Sequence, residues 1–120
     1  MELIDEIFNR NASMELIETD ISLLNDMIEM FDDFAPDVVS RLRAAVDEAN
    51  APEVREVSHE INGVVGNFYA QRAATTAHEI EERSCKGDLS DTPQLVIQLE
   101  NDLDELQTAL HEFHELQMAG

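Results

Sequence analysis

Apolar residues recur along this chain at intervals of three and four, and alternation with a period of two is absent. Near the end the series is Leu95, Leu99, Leu103, Leu106 and Leu110. In the middle it is Val54, Val57, Ile61, Val64, Val65 and Phe68, and earlier Ile21, Leu24, Ile28 and Phe31, then Val38, Val39, Leu42 and Val46. On a helix of about 3.6 residues per turn each series falls on one face, so the chain must bury several helical stripes against one another. The predicted fold class is all-α. A short helix is expected near 2–9, followed by helices over about 19–34 (capped by Thr19 or Asp20), 36–49, 52–69, 70–86 and 92–116. Pro36 suits the first turn of the third of these, Asn50 and Pro52 mark the next break, Gly87 after Lys86 suits a C-terminal cap, and Thr92 and Pro93 open the last helix. No helix is apolar all round and the connections are short. The expected architecture is an antiparallel four-helix bundle with one or two additional short N-terminal helices. With 120 residues, one domain spanning 1–120 around one core is expected.

Charge narrows the partners. Lys and Arg number 7 against 27 Asp and Glu, a net charge of -20. Polyphosphate and anionic lipid would be repelled, so nucleic acid and membrane surfaces are not expected partners. At 43% apolar residues the chain is nonetheless too hydrophobic for a disordered acidic tail. The acidity sits at the ends: residues 1–40 and 87–120 carry one cation between them, and the other six, Arg41, Arg43, Arg55, Arg72, Arg83 and Lys86, lie within 41–86. A DNA mimic, with acids spread over one continuous face, has no use for that distribution; a protein that docks on an acidic partner does. No apolar run approaches the length of a membrane span, and the opening MELIDEIF lacks the basic start of a signal peptide. A cytoplasmic location is expected, and the initial Met without a linker suggests a protein that stands alone. The single Cys85 is expected as a small buried or half-buried thiol.

One stretch departs from an ordinary amphipathic helix. Opposite the apolar stripe of 54–68 lies His59, and around it at i−4, i+3, i+4 and i+7 stand Arg55, Asn62, Gly63 and Gly66. Each Gly in a helix interior costs about 1 kcal/mol relative to Ala. They make sense if another macromolecule must approach the helix backbone beside the imidazole; a kink or tight internal packing is the alternative. A solvent-facing His on a surface of small residues lacks a small-substrate pocket but can exchange a group with a second protein. Imidazole suits phosphoryl carriage, because its free nitrogen is nucleophilic near neutral pH and the phosphorylated ring remains a good leaving group.

The stretch SHEINGVVGNFYA resembles the signature of histidine-containing phosphotransfer (HPt) domains through His59, Ile61, Asn62, Gly63, Gly66, Phe68, Tyr69 and Ala70. Downstream, TTAHEIEERSCKGDL looks like the family's next helix and its Gly-Asp turn. Glu81, twenty-two residues after His59, falls where the family carries a Gln or Glu on the active imidazole, in a form similar to the phosphotransfer domain of chemotaxis histidine kinases. Upstream, MFDDFAPDVVSRLRAAVDEAN matches the preceding helix, and the resemblance spans about 20–115. Two positions depart from the pattern: Asn62 stands where the family has Lys, and Tyr69 where it usually has Gly.

The resemblance implies a phosphorelay intermediate of two-component signalling. His59 would take a phosphoryl group from a receiver-domain aspartate and pass it to another receiver, and Glu81 would orient the imidazole. Gly63 and Gly66 would admit the partner, with Asn62 and Arg55 on phosphoryl oxygens or partner backbone and Arg55 replacing the missing Lys charge. The implied partners are receiver domains of response regulators or hybrid histidine kinases. No cofactor is implied in this chain, and the Mg²⁺ is expected on the partner receiver. The surface implies one-to-one docking by a monomer. A bundle of the same shape that binds a receiver without carrying phosphate is the alternative. Elsewhere, His78 is expected as a partly buried structural residue, and His111 and His114 as a solvated helix end. A di-iron site would need two Glu-x-x-His pairs, and Glu56–His59 is the only one, so no metal is expected.

Overall fold

The computed structural model describes residues 21–68 and 70–119, with side chains described for 25–68 and 70–116. Four helices make up this part: α1 Ile21–Asp47, α2 Ala51–Gly66, α3 Gln71–Cys85 and α4 Thr92–Ala119. Each packs against its neighbours in sequence and α4 closes the ring against α1, with the α2–α3 contact the most extensive. The all-α four-helix bundle is as expected. The short helix predicted near 2–9 lies outside the described residues, and so does Tyr69.

The largest departure from expectation is α1. Two helices were predicted, breaking before Pro36, and the structure has one unbroken helix with Pro36 inside it. An interior Pro loses one backbone hydrogen bond and crowds the preceding turn, at a cost of about 3 kcal/mol. Against that stands a stripe that runs through the proline without a change of register: Ile28, Phe31, Ala35, Val38, Leu42 and Ala45 are all buried. Burying a side chain of the size of Phe, Val or Leu is worth roughly 1.5–3 kcal/mol, so Phe31, Val38 and Leu42 together outweigh the proline. Pro36 itself is exposed, away from the stripe.

The chain reverses tightly after α1. Asn50 N–H donates to the Ala45 carbonyl at 2.9 Å, and Ala49 takes a left-handed φ of 53°. The Asn50 side chain then caps α2 by accepting from the Glu53 N–H at 3.2 Å, with Pro52 in the first turn. Helix α2 stops at Gly66, and Phe68 turns inward to meet Phe31 edge-on, ring centroids 5.6 Å apart. The predicted cap at Gly87 is present: φ is 75°, and Asp88 N–H reaches back to the Arg83 carbonyl at 2.9 Å. Thr92 and Pro93 open α4 as expected, although the Thr92 hydroxyl is buried and has no hydrogen-bond partner among the described residues.

Two of the expected environments are corrected here. His111 is not a free helix end: its Nε2 lies 2.9 Å from the Asp32 carboxylate of α1, which also accepts from Gln107 Nε2 at 2.8 Å. Cys85 is exposed rather than buried, because it ends α3 beside the Gly87 turn.

A buried carboxylate joins α3 and α4. Asp102 is 6% exposed, and burial holds its carboxyl above the usual range. The Thr76 hydroxyl, which donates to it at 2.9 Å, and the nearby Arg72 guanidinium oppose that shift.

Two predictions follow from these contacts. Ala49 pays the steric cost of a left-handed residue with a Cβ, so Ala49→Gly will raise the unfolding free energy by about 1 kcal/mol in urea denaturation. A raised folded-state pKa means the folded protein holds the Asp102 proton more tightly than the unfolded chain does. Stability from this group is therefore lost as pH rises above the ordinary carboxylate value. Asp102→Asn, which cannot ionise, will gain stability relative to wild type as pH rises above about 4, read from denaturation curves of both proteins at each pH. A gap that narrows with rising pH contradicts this.

Candidate functional site

The α2 stripe decides where His59 points. Val54, Val57, Ile61 and Val65 are buried, and so is Ser58, whose hydroxyl donates to the Val54 carbonyl at 2.6 Å. His59 is thereby turned outward, and its side chain is 76% exposed. Helix α3 buries Ala73, Ala77 and Ile80. The alanines let the two helices approach closely, and Glu81, next to Ile80, comes up at the edge of the contact with only 21% of its side chain exposed.

The two meet across the helix pair. His59 Nδ1 lies 3.0 Å from Glu81 Oε1 and 3.2 Å from Oε2. A carboxylate only accepts, so Nδ1 carries the hydrogen and donates it, which leaves the Nε2 lone pair free. Nε2 makes no hydrogen bond among the described residues. The arrangement is an exposed nucleophilic nitrogen whose ring is held from behind by a half-buried carboxylate. His59 and Glu81 share a shallow, open depression with Pro52, Arg55 and Glu56. From the sequence Pro52 was read only as a helix break and Glu56 only as half of a Glu-x-x-His pair, neither as part of the site. Their positions at i−7 and i−3 from His59 place them on its helical face, and that spacing was the available signal.

The family model for the Hpt domain matches residues 4–109. The chain belongs to the Hpt domain family. Membership supports a phosphotransfer role in two-component signalling. Among solved structures, the fold is similar to histidine-containing phosphotransfer protein B of Pseudomonas aeruginosa PAO1, at 20% identity and a TM-score of 0.84 over 90% of this chain and 94% of that one. It is similar also to the HPT domain of a sensor hybrid histidine kinase from Shewanella, at 16% identity and a TM-score of 0.75 over 90% and 93% of the two chains. No curated protein matches by sequence.

The remaining predicted residues of this Hpt domain divide. Asn62 is half-buried on α2, and Gly63 and Gly66 are exposed. Among the described residues a Cβ built on either Gly meets nothing within 4 Å. Internal packing therefore does not require them, and they leave a smooth strip of backbone beside the imidazole. His78 is a correction: it is exposed, with Nε2 3.2 Å from Glu82 one turn along α3, because Ala77 and Ile80 take the inward positions.

The cations around the site are largely committed. Arg41 bridges Asp37 and Glu60, Arg43 holds Glu100, Arg72 reaches Glu105, and Arg83 spans Glu79 and Asp91. Hydrogen bonds to those carboxylates hold the Arg41, Arg43 and Arg83 guanidinium groups above their usual range, led by Glu60, Glu100 and Glu79 respectively. The basic middle of the sequence is therefore spent mostly on surface ion pairs and is not a positive patch.

Among the described residues no helix is long and apolar enough to cross a membrane, and no group of three or more His, Cys, Asp or Glu is placed to hold a metal ion. Because no described residue touches a Cβ at position 63, Gly63→Ala will raise stability by about 1 kcal/mol in urea denaturation, and Gly66→Ala, at the helix end, by less. Destabilisation by either variant would show internal packing instead.

Proposed function

We propose that His59 is the phosphoryl carrier of a phosphorelay, taking the group from a receiver-domain aspartate and passing it to a second receiver. The observation that carries this reading is the His59–Glu81 pair, with Nδ1 occupied at 3.0 Å and Nε2 open to solvent. The Nε2 lone pair attacks the phosphorus of the aspartyl phosphate. The N–P bond forms as the P–O bond to the aspartate breaks, and that electron pair stays on the leaving carboxylate. The Nδ1 hydrogen stays on the ring, where Glu81 stabilises the positive charge that develops. On transfer to the second receiver the same steps run in reverse. The receiver contributes its divalent cation, expected to be Mg²⁺, and this chain contributes the oriented imidazole.

Exposure supports a macromolecular partner over a small substrate. A side chain 76% exposed in an open depression cannot enclose a metabolite, but it can enter the active site of another protein. Gly63 and Gly66 would leave that approach clear, and the Asn62 amide would hydrogen-bond partner backbone or phosphoryl oxygen. The partners would be receiver domains of response regulators or hybrid histidine kinases, each docked one-to-one on the α2–α3 face in the cytoplasm.

The test uses receiver domains phosphorylated with acetyl phosphate and mixed with this protein. Wild type will acquire acid-labile, base-stable phosphate, while His59→Gln will acquire none and keep its helical circular dichroism. Glu81→Gln keeps a hydrogen bond without the charge and will slow acceptance by about 10- to 100-fold. Phosphate on the His59→Gln variant would refute the assignment. Receiver binding by wild type with no phosphate on His59 would instead favour a module that binds without carrying.

A further inference from the structure

The His59 surface has a charge problem. Glu56, Glu60 and Glu81 all lie on or beside it, and an arriving phosphoryl group adds close to two further negative charges. Glu60 is neutralised by Arg41 at 2.9 Å, which uses up Arg41, and Arg83 is tied to Glu79 and Asp91. Asn62 is neutral. Among the described residues one arginine has no carboxylate partner, and it is Arg55, which lines the depression with His59 and Glu81.

Resting on the phosphoryl-carrier reading of His59, we infer that Arg55 is a catalytic residue whose guanidinium binds the oxygens of the phosphoryl group in transit. Arg55 stands one helical turn before His59, on the same face of α2. Side chains at i and i+4 are neighbours, about 5–6 Å apart at Cβ, and the long arginine stem spans the remaining distance to a group on Nε2. A guanidinium presents a planar fork of N–H donors that matches two phosphoryl oxygens, and it stays charged throughout. Arg55 is exposed and forms no ion pair among the described residues, so none has to break when the phosphoryl group arrives. The other arginines would each have to give up such a pair. The transition state spreads negative charge over the equatorial oxygens, so a cation held there lowers the barrier to transfer in both directions.

The test separates this chemistry from docking by using phosphoramidate, a small phosphodonor that needs no receiver. The rate of His59 phosphorylation is followed by ³¹P NMR on the full chain, with circular dichroism confirming the fold of each variant. Arg55→Ala will slow phosphorylation at least about tenfold, and Arg55→Lys will recover part of the loss. The decisive variant is Arg55→Ala with Asn62→Lys, which puts a cation one turn to the other side of His59 and will restore most of the rate. Raising the ionic strength will shrink the difference between wild type and Arg55→Ala. An Arg55→Ala rate equal to wild type overturns the inference, and so does a slow rate that Asn62→Lys leaves unchanged. If wild type itself takes no phosphate from either phosphoramidate or a receiver, the carrier reading of His59 fails, and the inference about Arg55 with it.

Discussion

The packing of α2 against α3 is the constraint from which the site follows. Val54, Val57, Ile61 and Val65 fix the rotation of α2, and Ala73, Ala77 and Ile80 fix that of α3. With both rotations set, the positions just outside the contact have no freedom left. His59 and Glu81, twenty-two residues apart, are brought to hydrogen-bond distance there without any loop being used to place them. A site carried on two helices whose inner faces are close-packed is held more precisely than one on loops, and an imidazole that must present one nitrogen to a second protein needs that precision. The small side chains of α3 matter as much as the large ones of α2. Ala73 and Ala77 set how near the helices lie, and a carboxylate as short as Glu81 reaches the ring only if they lie near.

The electrostatics follow a different logic. A chain of net charge -20 has few cations, and the bundle uses four of its arginines to tie surface carboxylates between or along helices. Exposed pairs of this kind contribute little each, about 0.2–1 kcal/mol. Their larger effect is on availability, since a paired guanidinium is not free to meet an anionic ligand. Charge by segment points to the middle of the chain as the place where an acidic partner docks, yet within that segment pairing leaves Arg55 as the uncommitted arginine at the His59 depression.

Helical content, the stripes and the His59 neighbourhood were legible because each depends on residues within one or two turns of one another. The same locality explains the misreadings. Pro36 reads as a helix start by local rules, and only the burial of Phe31, Val38 and Leu42 on one continuous face overrides it. His111 looks like a frayed end until α1 brings Asp32 within 2.9 Å of it, 79 positions away in sequence. His78 was expected partly buried, whereas Ala77 and Ile80 take up the inward face and turn it out. Cys85 is exposed because the helix stops there, at a turn that Gly87 makes possible.

From the sequence came the helical bundle, the outward direction of His59 and the two glycines beside it whose cost in a helix asks for a reason. Those properties follow from the helical period and from the energetic cost of glycine, which are local. Only the tertiary packing shows that α1 runs through its proline, that Glu81 reaches the Nδ1 side of the ring, and that the arginines near the imidazole reduce, among the described residues, to one unpaired guanidinium. Each of these depends on distances between helices, which are set by the volumes of side chains packed across the core and which no pattern along a single helix encodes.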